Sequence, residues 1–160
     1  MKPMKIKLLV MDVDGTLTDG KINIGENGEL FKSFSVKDGH GINRILPQCG
    51  IKPVIITNRR SKIVEYRAAE LHIEFLFQGV GDKLSVLTKL LEEEKLSFAE
   101  CAFIGDDIND MECMRKCGLC ACPQDAAKEV KAIAQYISPK KGGDGAVRDF
   151  IEYIRDNYSK

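Results

Sequence analysis

Apolar and polar positions along this chain follow two rhythms. Nearly continuous apolar runs recur at 6–11, 53–56, 75–77, 101–104 and 119–122. Between them, apolar residues return every three or four positions. The first pattern predicts buried strands and the second amphipathic helices. Leu84, Leu87, Leu90 and Leu91 mark a helix over 82–95, whose Glu92-Glu93-Glu94 run reads as a solvated face. Ile63, Val64 and Ala68 mark one over 61–71, and Val147, Phe150, Ile151 and Ile154 one over 146–157. Asp38 reads as the cap of a helix containing Ile42, Ile45 and Leu46 that ends near Pro47 and Gly50. Further helices are predicted over 107–116, stopped by Gly118, and over 125–134, with an edge strand at Tyr136-Ile137-Ser138. Strand and helix thus alternate almost throughout, which predicts an α/β, Rossmann-like parallel sheet flanked by helices. The exception is 21–36, where two β-prone segments flank Asn27-Gly28 and read as a small β-hairpin flap.

Polar chemistry collects just past the strands. Asp12-Val13-Asp14-Gly15-Thr16 ends the first apolar run. In continuing extended backbone both carboxylates would point to one side. Two such charges repel each other unless a cation relieves them, and oxygen-only ligands suit Mg²⁺. The structural alternative is a solvated turn after a core strand. Three later features bear on the choice. Thr57 ends the second run, Lys83 opens a helix after Gly79-Val80-Gly81-Asp82, and Gly105-Asp106-Asp107-Ile108-Asn109-Asp110 follows 101–104. The carboxyl edge of an open parallel sheet is its ligand crevice. That edge would collect a nucleophile, an acid/base, a hydroxyl, a cation and a metal ligand.

The chain has 160 residues, which fits one domain spanning 1–160. Its formal net charge is zero, so charge gives no case for a nucleic-acid or membrane partner. No apolar run reaches transmembrane length, and Met1-Lys2-Pro3-Met4-Lys5 is too short and polar to begin a signal peptide. The expected location is the cytoplasm. Six cysteines are then expected to be reduced. Cys113, Cys117, Cys120 and Cys122 invite a zinc reading, but their spacing lacks paired C-x-x-C units and small buried hydrophobes explain them more simply.

The ordered set Asp12-Val13-Asp14-Gly15-Thr16, Thr57, Lys83 and Gly105-Asp106-Asp107 resembles the haloacid dehalogenase superfamily of phosphatases. Many members insert a cap domain, whereas the gaps here hold only the hairpin, a helix and a strand; no cap domain is expected. An open site selects poorly among small phosphates. Selectivity is therefore expected from a neighbouring subunit, with the hairpin as the contact; an ordinary solvent-exposed flap is the alternative. Five further stretches look like the 3-deoxy-D-manno-octulosonate 8-phosphate phosphatases. They are Asp12 through Gly20, Phe34 through Ile42, Ile55-Ile56-Thr57-Asn58-Arg59, Phe77 through Leu84, and Gly142-Gly143-Asp144-Gly145-Ala146-Val147-Arg148.

That resemblance implies a capless, Mg²⁺-dependent homotetramer of lipopolysaccharide biosynthesis acting on a phosphorylated sugar acid. It implies Asp12 as nucleophile and metal ligand, Asp14 as acid/base and carbonyl ligand, and Asp106 as the second carboxylate ligand. Thr57 and Lys83 would hold phosphate. Asp107 and Asp110 are expected to orient the metal's surroundings, with solvated loop carboxylates as the alternative. Ser35, Val36, Lys37, Asp38, Gly39, Asn58, Arg59 and Arg67 align with substrate-contacting positions, where a guanidinium suits a sugar-acid carboxylate. For Arg59 and Arg67 a solvated helix face is the bland alternative. His40 and His72 carry no functional expectation. One departure stands out: the family reads Thr-Gly-Arg where this chain has Thr57-Asn58-Arg59. Asn tolerates the backbone geometry of glycine but adds a side chain near the pocket. A nine-carbon ulosonate phosphate is therefore the alternative substrate. A non-catalytic oligomerisation module, like those attached to acylneuraminate cytidylyltransferases, is the alternative of another class.

Overall fold

The computed structural model describes residues 4–159. Met1, Lys2, Pro3 and Lys160, which the expected 1–160 domain and the signal-peptide reading include, lie outside the described residues. Among the described residues eight strands form: β1 (Leu8–Met11), β2 (Asn23–Gly25), β3 (Gly28–Phe31), β4 (Lys52–Ile56), β5 (Phe75–Phe77), β6 (Cys101–Ile104), β7 (Leu119–Cys122) and β8 (Tyr136–Ile137). Six of them build one sheet in the order β5-β4-β1-β6-β7-β8, parallel at every pairing, while β2 and β3 pair only with each other, antiparallel. The helices are α1 (Val36–His40), α2 (Leu46–Gln48), α3 (Lys62–Glu70), α4 (Lys83–Glu94), α5 (Met111–Lys116), α6 (Lys128–Ile133) and α7 (Ala146–Tyr158). This is the Rossmann-like α/β fold expected, and no separate cap domain is present among the described residues.

Strand periodicity divides the core. Leu9 and Met11 face one side of the sheet with Ile42, Leu46, Val64, Phe150 and Ile154, beneath α1, α2, α3 and α7. Leu8 and Val10 face the other side with Leu87, Leu90, Cys113, Met114 and Val130, beneath α4, α5 and α6. Every residue of β1 is buried, as a central strand covered on both faces requires. Cys101, Cys113, Cys117, Cys120 and Cys122 are buried free thiols in the second of these cores. Burial pushes Cys122 up to about 11, leaving it protonated and inert.

One helix start differs from expectation. Ser35, not Asp38, caps α1, accepting from the Asp38 amide at 3.3 Å. Between α1 and α2 a π-helical turn, Gly41–Ile45, carries the chain toward Pro47, which has no amide to donate to Asn43. The wider turn lets the helix continue past the proline as far as Gln48. Among the described residues no helix is long and apolar enough to cross a membrane.

Candidate active site

Strand register brings the carboxyl ends together. Met11 pairs with Ile55 on one side and Ile104 on the other, so Asp12 leaves the sheet beside the residues that lead to Thr57 and Asp106. The Asp12 amide donates to the Ile104 carbonyl at 3.2 Å. Asp12, Thr57, Lys83 and Asp110 are all buried there.

Lys83 is the first residue of α4, which Asp82 caps by accepting from the Ser85 amide at 3.1 Å. Its Nζ donates to Asp12 Oδ1 at 2.8 Å and to Asp110 Oδ1 at 2.7 Å. A cation at a helix N-terminus opposes the macrodipole, so its place there depends on its partners. Burial alone would lower the Lys83 pKa, but Asp12 and Asp110 outweigh it and the net shift is upward. Lys83 therefore remains an ammonium, and with the helix dipole it presents a positive end to an anion.

Asp110 uses both carboxylate oxygens within the protein. Oδ1 takes Lys83, and Oδ2 accepts the amides of Asp106 at 3.0 Å and Asp107 at 3.3 Å. Burial and the charge of Asp12 raise it to about 6 against the pull of Lys83. Asp107 is exposed and caps the turn Ile108–Asp110, accepting from the Ile108 amide at 2.8 Å. Asp106 is freer. Thr16 Oγ1 donates to its Oδ1 at 3.1 Å, and burial followed by the charge of Asp12 pushes it up to about 8. Gly15, at φ +92°, permits this approach, because a Cβ there would collide with the Asp106 carboxylate.

The donor set fits a divalent cation. Asp12, Asp106 and Asp110 each place a carboxylate oxygen within 4.8 Å of the others, the one such convergence of metal-ligating side chains among the described residues. Asp12, Asp106 and Asp110 crowd three carboxyl groups beside the Lys83 ammonium. All are hard oxygen donors, as Mg²⁺ prefers.

Asp14 parts from Asp12. The strand ends at Met11, and the amides of Thr16 and Leu17 both turn back to the Val13 carbonyl. Asp14 consequently faces the hairpin instead of Lys83. Its Oδ1 accepts from Lys32 Nζ at 2.7 Å, and the Lys32 side chain is only 3% exposed. Sequence reasoning missed Lys32; its place inside a β-prone segment, which the structure ends at Phe31, gave no sign of a buried partner.

The expected substrate contacts divide. Ser35, Gly39 and Arg67 come together: Arg67 donates to the Ser35 carbonyl at 3.3 Å, lies over the Phe34 ring and packs on Gly39. Asn58 and Arg59 are exposed just past Thr57, and Asn58 Oδ1 accepts from Asn109 Nδ2 at 3.0 Å, joining two of the site's loops. Val36 is 85% exposed and Lys37 is exposed as well. Asp38 turns inward instead, buried with Oδ1 accepting the Arg148 amide at 2.9 Å.

A parallel sheet whose carboxyl edge gathers two aspartates of one turn, a buried lysine and an acidic loop defines a class of phosphoryl-transfer enzyme. Residues 51–151 match the haloacid dehalogenase-like hydrolases, and the chain belongs to that family. Within it, the chain is 41% identical over 153 residues to the 3-deoxy-D-manno-octulosonate 8-phosphate phosphatase of Escherichia coli K12, covering 96% of this chain and 81% of that protein. The crystal structure of the Moraxella catarrhalis enzyme of that name, in complex with magnesium ion, phosphate ion and a KDO molecule, superposes with a TM-score of 0.91 at 40% identity, over 96% of this chain and 87% of that one. The cobalt-bound Haemophilus influenzae enzyme gives 0.92 at 34% identity, over 96% and 90%.

Proposed function

We propose that this chain is a Mg²⁺-dependent phosphatase that hydrolyses 3-deoxy-D-manno-octulosonate 8-phosphate through an aspartyl-phosphate, with 1–160 as one catalytic domain. The observation that carries the reading is the buried Asp12–Lys83–Asp110 pairing beside Asp106, in a chain so similar to enzymes of that name. The Asp12 and Asp106 carboxylates, with the Asp14 carbonyl, would hold Mg²⁺. Bound there, the ion would neutralise phosphoryl charge that otherwise repels an attacking carboxylate.

Asp12 attacks phosphorus, and the sugar oxygen leaves with a proton from Asp14. Asp14 then takes a proton from the water that attacks the aspartyl-phosphate, which frees phosphate and restores Asp12. Lys83 and Thr57 hold the transferring oxygens, while Asp110 and Asp107 keep Lys83 and the acidic loop in place. Arg59 and Arg67 receive the sugar-acid carboxylate, with Ser35, Gly39 and Asn58 lining the approach. Exposed Val36 and Lys37 suit contact with a neighbouring subunit's substrate, and Asp38 supports this segment from behind. We read the assembly as a homotetramer closed by the hairpins. We also read it as a cytoplasmic enzyme of lipopolysaccharide biosynthesis, which five buried unpaired thiols favour.

The test is Mg²⁺-dependent phosphate release from eight-carbon and nine-carbon ulosonate phosphates, with Asp12→Asn as control. We expect a preference of about tenfold or more for the eight-carbon acid, and no turnover by the variant. A nine-carbon preference would overturn the substrate and implicate Asn58. Release from neither would overturn the phosphatase reading.

A further inference from the structure

Lys32 is a buried charge for which the reaction outlined above has no task. It directly follows β3, on a hairpin whose Ile24, Leu30 and Phe31 are exposed, yet its own side chain is turned under against the catalytic turn. An ammonium is costly to bury, and a lysine on an exposed flap has water within reach. Here Nζ sits 2.7 Å from Asp14 Oδ1 and 3.5 Å from Glu29 Oε2. Glu29 is fixed in turn, because Ser61 Oγ donates to its Oε1 at 2.6 Å and Ser61 is the cap of α3. A chain of polar contacts thus runs from α3 through the hairpin to the carboxylate read as acid and base.

We propose that Lys32 is a positioning residue for proton transfer, holding Asp14 by one oxygen so that the other meets the leaving group. The inference rests on the phosphatase reading. An ammonium only donates hydrogen bonds, so Oδ1 is held as an acceptor. The proton that goes to the sugar oxygen, and later comes from water, therefore passes through Oδ2. Turning the protonated oxygen of Asp14 toward Lys32 would set two donors against each other, so the proton stays on the far oxygen. Glu29 confines the lysine to this position, so the alignment of Asp14 follows the placement of the hairpin.

Leaving-group dependence tests this. A sugar alkoxide leaves only with a proton, whereas p-nitrophenolate leaves without one. For both esters kcat/KM reports events through the first phosphoryl transfer. Lys32→Met keeps the aliphatic stem and removes the charge. We expect kcat/KM to fall about 100-fold for the sugar-acid phosphate and by less than about fivefold for p-nitrophenyl phosphate. The retained aryl activity also reports an intact fold. Glu29→Gln should show the same bias at smaller size, and it decides the matter if Lys32→Met does not fold. Equal losses on the two esters, or no loss on either, would overturn the role. Wild-type protein inactive on both would overturn the phosphatase reading, and this inference with it.

Discussion

Between Asp12 and Asp110 the Lys83 ammonium sits where neither water nor salt screens it. Removing one member of a buried charge group leaves the others unpaired, which costs about 3–5 kcal/mol. Asp110→Ala strips Lys83 of one partner and the amides of Asp106 and Asp107 of their acceptor. We expect that loss in urea unfolding, together with loss of turnover. Asp107→Ala removes only an exposed cap and should cost about 1 kcal/mol. Asp106 makes a second prediction, in pH. Its pKa is pushed up to about 8, so the folded protein keeps a proton that the unfolded chain has already released near pH 4. Metal-free stability should therefore fall as pH rises from about 4 to about 8. Mg²⁺ competes for the same oxygens, so it should raise Tm more at pH 8 than at pH 5; an equal rise at both would refute Asp106 as a ligand. Asp12, Thr57, Lys83 and Asp106 were legible in sequence because each lies within two residues of a strand's end or opens a helix. Lys32 was not, because nothing in local periodicity records a contact made across 18 residues by a hairpin folding back.

Helix α7 shows what an element owes to distant chain. Gly145, at φ +103°, occupies its cap position and offers no side chain. Asp38 supplies the missing acceptor from α1, across 110 residues. The sequence reading credited Asp38 with capping its own helix, since a local rule sees only neighbours; Ser35 does that, and Asp38 is left free to serve α7. The π-helical turn before Pro47 was equally invisible, because it answers a missing amide and not an apolar period. The strands and the longer helices were legible from the burial they require. Burial raises Asp38 to about 6, opposed by the amides of Arg148 and Gly145 and by Arg67. Its folded value thus exceeds its unfolded one, and ionisation weakens the fold as pH rises from about 4 to about 6. Asp38→Asn keeps an oxygen for Arg148 and removes that titration, so its urea midpoint should vary less than wild type over this range. Asp38→Ala removes the acceptor too and should cost about 1–3 kcal/mol at pH 7. Matching pH slopes for wild type and Asp38→Asn would exclude this account.

At the scale of the molecule, the hairpin is the part whose sequence makes least sense alone. Two short strands are marginal in isolation. This pair leaves Ile24 67%, Leu30 63% and Phe31 52% exposed, with Val36 just beyond at 85%. Water does not favour so much exposed apolar surface on a two-stranded flap, and such surface marks a site of association. The hairpin and the lack of a cap were legible from turn chemistry and gap lengths; the surface that meets the hairpin was not, since a single sequence carries no record of its partner. In the proposed tetramer, burial of these side chains holds the hairpin, and through Lys32 and Glu29 the hairpin holds Asp14. Assembly and proton transfer are then coupled. Ile24→Asp with Leu30→Asp places like charges in that contact while leaving the six-stranded sheet untouched. Sedimentation should show wild type as tetramer and the double variant as monomer, with far-UV circular dichroism nearly unchanged. Phosphate release from the sugar acid should fall at least tenfold, and p-nitrophenyl phosphate hydrolysis much less. A double variant that remained a tetramer would remove the hairpin from the interface. A fully active monomer would break the link between assembly and Asp14.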